Sequence, residues 1–127
     1  MDYALLIVWL VSIFGTGSPV LAKLNNENLI YIQYAHTRAI DENISPVKFV
    51  KLLNCESGWD KTAIGDKGKA NGIAQFHKRT YDTFADNYGL VGSYKNPYSQ
   101  INLASQMISD GLANQWWNCS HSVGFLK

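Results

Sequence analysis

The feature that most constrains this chain is one strongly apolar helix set between two clear punctuation marks. Ser45 followed by Pro46 opens it: the serine supplies an N-cap hydroxyl, and the proline's missing N–H costs nothing in a first turn. Gly58 stops it. Between them Val47, Phe49, Val50, Leu52 and Leu53 leave little polar face, so the segment is expected to lie at the centre of a domain, buried on most sides. Its last residues are Glu56 and Ser57, which puts a carboxylate at the C-terminal end of a buried helix.

The remaining elements fall around it. Leu29, Ile30, Ile32, Ala35, Ala39 and Ile40 keep approximately helical spacing, and Asp41, Glu42 and Asn43 end that segment. From Thr62 to Gly72 glycines at 65, 68 and 72 predict a turn-rich loop or a short irregular hairpin. Helical character resumes from Lys78 to about Asn87, with Tyr81, Phe84 and Ala85 on the apolar face and Gly89 closing it. After a tyrosine-bearing loop from Gly92 to Pro97, a last helix is expected to carry Ile101, Leu103, Ala104, Met107, Ile108 and Leu112. The tail then holds Trp116, Trp117 and Cys119. The fold class is mainly α, with four to five helices and a small irregular β element after the central helix.

The N-terminal end reads differently. Tyr3 to Phe14 is apolar throughout, and Gly15, Gly17 and Pro19 interrupt it before Val20, Leu21 and Ala22. Crossing a bilayer needs roughly 20 apolar residues, so the pattern predicts a secretory signal peptide over residues 1–22, cleaved after Ala22, rather than a permanent anchor. It lacks the usual leading Lys or Arg, which keeps an uncleaved, weakly inserted segment as the alternative, while a buried core helix fits poorly with a one-sided apolar block of this kind. Residues 23–127 then form one domain in the periplasm or outside the cell. That part carries all 11 Lys and Arg and every Asp and Glu except Asp2, so it has no basic field of the strength nucleic-acid binding uses.

Cys55 and Cys119 are the two cysteines, and export would allow a disulfide between them. Metal binding with His36, His77 or His121 is the alternative, but no pair has zinc-site spacing, and no metal or cofactor is expected.

The chemistry rests on Glu56. Low-dielectric packing and the negative end of the helix dipole both favour its protonated form. An acid that keeps its proton near neutral pH is what protonation of a glycosidic oxygen requires, although a solvated helix-end residue is the commoner meaning of such a position. The surrounding string decides: Cys55, Glu56, Ser57, Gly58, Trp59, then Ala63, Gly65, Asp66, Gly68, Ala70, Gly72, Ile73, Ala74, Gln75 and Phe76, followed by Thr80 and Tyr81. It resembles the soluble lytic transglycosylase domain of the lysozyme-like superfamily. Ile44, Ser45, Pro46 and Val47, and later Asn96, Pro97, Gln100, Ile101 and Ala104, extend the resemblance over nearly all of the mature chain. The placing of Cys55 and Cys119 is also similar to the resuscitation-promoting factors, in which such cysteines are bridged.

The resemblance implies a lysozyme-like fold with a cleft and glycan strands of peptidoglycan as substrate. It implies that Glu56 acts as acid and then base, with Ser57 beside it holding substrate or orienting the carboxylate, and Gln75 and Phe76 in the cleft. Tyr98, after Asn96-Pro97, is a further candidate for substrate contact. Tyr81 is more readily a core residue, and Trp116 and Trp117 are expected to seal the core more than to stack on sugars. Ordinary glycosidases use two carboxylates. Asp60 and Asp66 are the possible partners, with Lys67 and Lys69 beside Asp66, and neither is compelling as a nucleophile. In the family one glutamate suffices, because the sugar's own C6 hydroxyl replaces the attacking water and leaves a 1,6-anhydro end. A hydrolytic muramidase using Asp66, and a glycan-binding assembly component without activity, are the alternatives. The protein is expected to be a monomer, with cell-envelope machinery as a candidate partner.

Overall fold

A computed structural model describes residues 2–127. The helices are α1 (Tyr3–Phe14), α2 (Pro19–Ala22), α3 (Asn26–Asp41), α4 (Pro46–Ser57), α5 (Lys78–Asn87), α6 (Pro97–Ser109) and α7 (Trp117–Val123). Between α4 and α5 lie β1 (Ile64–Gly65), β2 (Ala70–Asn71) and β3 (Phe76–His77), an antiparallel sheet in that order. Short 3₁₀ turns occupy Asp66–Gly68 and Ala113–Trp116. This is the mainly helical α+β arrangement of lysozyme-like domains, with five helices, α3 to α7, in the part expected to be mature.

Helix α4 is central, as its composition predicts. Phe49, Val50, Leu52 and Leu53 have no exposed surface, and α3, α6 and α7 complete the core with Ile32, Ala35, Ile101, Leu103, Met107 and Cys119. The ends of α4 follow from its sequence: Ser45 accepts from the Lys48 N–H at 3.2 Å, and Gly58 takes the left-handed conformation at φ 59. Asn96 caps α6 in the same way, accepting from the Ser99 N–H at 3.1 Å, with Pro97 in the first turn.

Three elements differ from expectation. Helix α6 ends at Ser109, because the chain reverses at Gly111 (φ 85), so Leu112 lies beyond it. The segment read as a tail is a 3₁₀ turn followed by α7. The apolar N-terminal segment is helical and lies against the domain, although a buried core helix did not fit its pattern. Leu6 and Leu10 are fully buried, the Trp9 ring meets His36 edge-on at 4.9 Å, and Lys51 Nζ lies 6.0 Å from the centre of the Phe14 ring. A helix apolar on every side buries whatever face the chain offers it, and here Leu5 and Val8 stay exposed on the other. Among the described residues no helix is long and apolar enough to cross a membrane.

Candidate active site

Glu56 stands in the last turn of α4, half-buried, one residue before the helix ends. Among the described residues no hydrogen bond or ion pair engages its carboxylate. Burial disfavours the charged form and pushes its pKa up to about 7. Both burial and the helix dipole were expected to act this way; burial is the cause that the surroundings of Glu56 supply.

The chain leaves α4 through two consecutive left-handed residues, Gly58 (φ 59) and Trp59 (φ 67). A tryptophan in this conformation is strained, and the strain is tolerated because its ring, 2% exposed, is anchored in the core. Ser57 stitches the turn: its hydroxyl donates to the Leu53 carbonyl and accepts from the Trp59 N–H, both at 3.2 Å. The role of Ser57 in this structure is therefore to fix the backbone on which Glu56 sits.

Gln75 works in a similar way. It sits at φ 52 in the tight turn between β2 and β3, and its Nε2 donates to the Ala63 carbonyl at 3.0 Å and the Gly72 carbonyl at 2.9 Å. The first bond ties the β3 side of the hairpin to the segment leading out of α4. Gly65 lies against it: a Cβ there would come within 2.5 Å of Gln75 Oε1, the far end of a flexible side chain that would have to move. The Phe76 side chain is buried edge-on between Tyr81 at 5.6 Å and Trp116 at 5.4 Å, so it presents no free ring face. Tyr81 is likewise a core residue, as expected.

Tyr98 stands in the first turn of α6. Its ring, 40% exposed, meets Tyr31 at 5.4 Å and Tyr34 at 5.2 Å, forming an aromatic cluster between α3 and α6. The two tryptophans divide: Trp116 is buried and Trp117 is 61% exposed, edge-on to His121. Both candidate second carboxylates are engaged locally. Asp60 Oδ1 accepts from the Thr62 N–H at 2.8 Å and its hydroxyl at 2.7 Å, which lowers the Asp60 pKa. Asp66 pairs with His77 Nε2 at 2.7 Å, not with Lys67 or Lys69.

Cys55 and Cys119 are bonded, with Cα atoms 5.9 Å apart. The bridge joins α4 to α7 at the residue immediately before Glu56 and closes a separation of 64 residues. In the chain-entropy account this contributes about 4 kcal/mol.

One residue quoted only as part of a helix-opening pattern organises the site. Gln100, fully buried, accepts from the Ala74 N–H at 2.9 Å and donates to the carbonyls of Asn71 at 3.0 Å and Tyr94 at 2.9 Å. A Cβ on Gly72 would lie 2.6 Å from its Nε2, so the backbone passes Gln100 at a distance only glycine allows. Trp116 Nε1 donates to the Ala74 carbonyl at 2.8 Å. The sequence signal was available, a glutamine on the inward face of an apolar helix, but its partners lie far along the chain.

No curated protein and no solved structure matches the chain. The family profile described as transglycosylase SLT domain matches residues 33–121, from the middle of α3 to α7, and so spans every element that positions Glu56. Family match, helical architecture and the acid at the end of the central helix agree, and the chain belongs to the transglycosylase SLT domain family of the lysozyme-like superfamily.

Proposed function

We propose that this protein is a peptidoglycan lytic transglycosylase in which Glu56 is the sole catalytic carboxylate. Domains of this family cleave peptidoglycan glycan strands, and the observation that carries the finer reading is the state of Glu56. With its pKa near 7 and no partner among the described residues, its proton is free to be given to the oxygen linking MurNAc to GlcNAc. The carboxylate so formed then accepts the proton of the C6 hydroxyl as that oxygen closes on C1, giving the 1,6-anhydro end and restoring the acid. An internal hydroxyl held close to the reacting carbon takes the place of a positioned water.

The engagement of Asp60 and Asp66 supports a one-carboxylate mechanism. Ser57 and Gln75 act as positioning residues, one for the helix end and one for the hairpin beside it. Residues 1–22 are proposed to direct export and be removed, which would uncover the face of α3 at His36 that Trp9 covers. Replacing Glu56 with Gln keeps the shape and removes the acid; release of soluble fragments from purified sacculi should then fall at least about a thousandfold. A variant that retained most of the rate would contradict the assignment.

A further inference from the structure

Two open cavities flank the small sheet and meet at Asn71 and Lys95. The larger, about 730 Å³, is walled by Lys69, His77, Lys78 and Tyr94. The smaller, about 340 Å³, runs past Lys61, Thr62 and Ala63, and so reaches the segment that leaves α4 and is held by Gln75.

The charge along this groove is one-sided, although the whole chain carries only +1. Lys69 and Lys95 make no ion pair among the described residues, whereas Lys61 pairs with Glu27, Lys78 with Asp82, and Asp66 with His77. Helix α5 begins on the rim at Lys78, and no side chain caps its first turn, so unpaired N–H groups add to the positive potential. The floor is fixed. Tyr94 donates its hydroxyl to the Phe76 carbonyl at 2.6 Å and accepts from Asn71 at 3.2 Å, and its own carbonyl is held by Gln100. An aromatic floor under unpaired ammonium groups suits a small ligand with carboxylates and short apolar side chains.

We infer that this groove is a subsite for the carboxylates of the short peptide branches carried by the glycan strand. The identity of the polymer rests on the function proposed above; the groove and its charge do not. A long phosphate polymer would be matched by a broad basic surface, whereas here three of the nine lysines, Lys69, Lys78 and Lys95, line one cavity on a chain of nearly balanced charge.

The test uses the Glu56→Gln chain, so that ligand is not consumed, titrated calorimetrically with a soluble disaccharide-peptide and with the same compound after amidation of its carboxylates. Lys69→Gln with Lys95→Gln is the probe variant, since both side chains are exposed and neither is placed in the catalytic machinery. The double substitution should weaken binding about five- to tenfold at unchanged melting temperature. Amidation should do the same to the parent and nothing further to the double variant. Equal affinity for free and amidated ligand would overturn the inference. So would a variant that loses binding of poly(glycerol phosphate) while binding the peptide as before. If carboxylate-dependent binding persisted in a protein whose active form cleaved no glycan, the catalytic proposal alone would fail. Equal losses by the active double variant on peptide-bearing and peptide-stripped strands would sink the subsite alone.

Discussion

Gln100 Oε1 accepts the Ala74 N–H at 2.9 Å across 26 residues of chain. Trp116 Nε1 takes the carbonyl of the same residue from the other side, so both polar groups of a fully buried backbone unit are satisfied by side chains of distant elements. Buried backbone polar groups are costly when unpaired, and this irregular stretch has no sheet ladder to satisfy them. The position of Gln75, the next residue, is therefore set by α6 and the C-terminal 3₁₀ turn as much as by its own hairpin.

Gln100→Ala should destabilise the domain by about 3 kcal/mol, since it orphans the Ala74 N–H and the Asn71 and Tyr94 carbonyls. Gly72→Ala should cost about 2 kcal/mol or more, partly from overlap with Gln100 and partly from its φ of 86. The two should be less than additive, because removing the glutamine relieves the overlap and leaves the backbone strain. Urea unfolding of the single and double variants measures this, and strict additivity would contradict it.

Gly65→Ala acts on the other glutamine. The new Cβ would meet the far end of a flexible side chain, Gln75 Oε1, so Gln75 should swing away and release the Ala63 carbonyl. Stability is expected to change by about 1 kcal/mol or less. Catalytic rate should fall more than substrate affinity, because the lost bond ties the hairpin to the segment that leaves α4 just after Glu56. Rates on sacculi alongside thermal melts separate the two effects.

The Glu56 pKa has a sign that stability measurements can read. The folded state holds this proton up to about pH 7, whereas an unperturbed carboxyl releases it near 4.5. Between those values the folded state binds more protons than the unfolded one, so stability contributed by this group falls as pH rises through the window. Glu56→Gln should therefore gain on the parent from pH 5 to pH 8, by about 1 kcal/mol once solvent screening at a half-buried site is included. In activity the same group predicts a rate that declines above about pH 7.

Replacing Cys55 and Cys119 by Ser should lower stability by about 4 kcal/mol, read from denaturant midpoints. Because the bridge adjoins Glu56, activity at low temperature should drop even where the chain remains folded.

Parts of this fold were legible in the sequence because the signals were local. Ser45, Pro46 and Gly58 fix both ends of α4, and with it the place of Glu56, through caps that act within a turn. The pairing of Cys55 with Cys119 followed from two cysteines in a chain expected to be exported, and the family pattern strengthened it. Legibility failed where a role depends on residues far along the chain. Gln100 stood out only as a glutamine on the inward face of an apolar helix, since its meaning lies in backbone groups of Asn71 and Ala74. Helix α7 was read as tail because seven mixed residues carry no periodicity, and it is held instead by the disulfide and by Ser120, whose hydroxyl donates to the Ala113 carbonyl at 2.7 Å. Ser57 and Gln75 were found through the family pattern as cleft residues, while in the structure their polar atoms bond the protein's own backbone.

The claim that one carboxylate suffices is tested most directly by the new glycan ends. Purified sacculi digested by residues 23–127 in isotopically labelled water, and analysed by mass spectrometry, should yield 1,6-anhydro ends without incorporated label. Products carrying labelled oxygen at the reducing end would contradict the account, since they would require a positioned water and a second group to activate it.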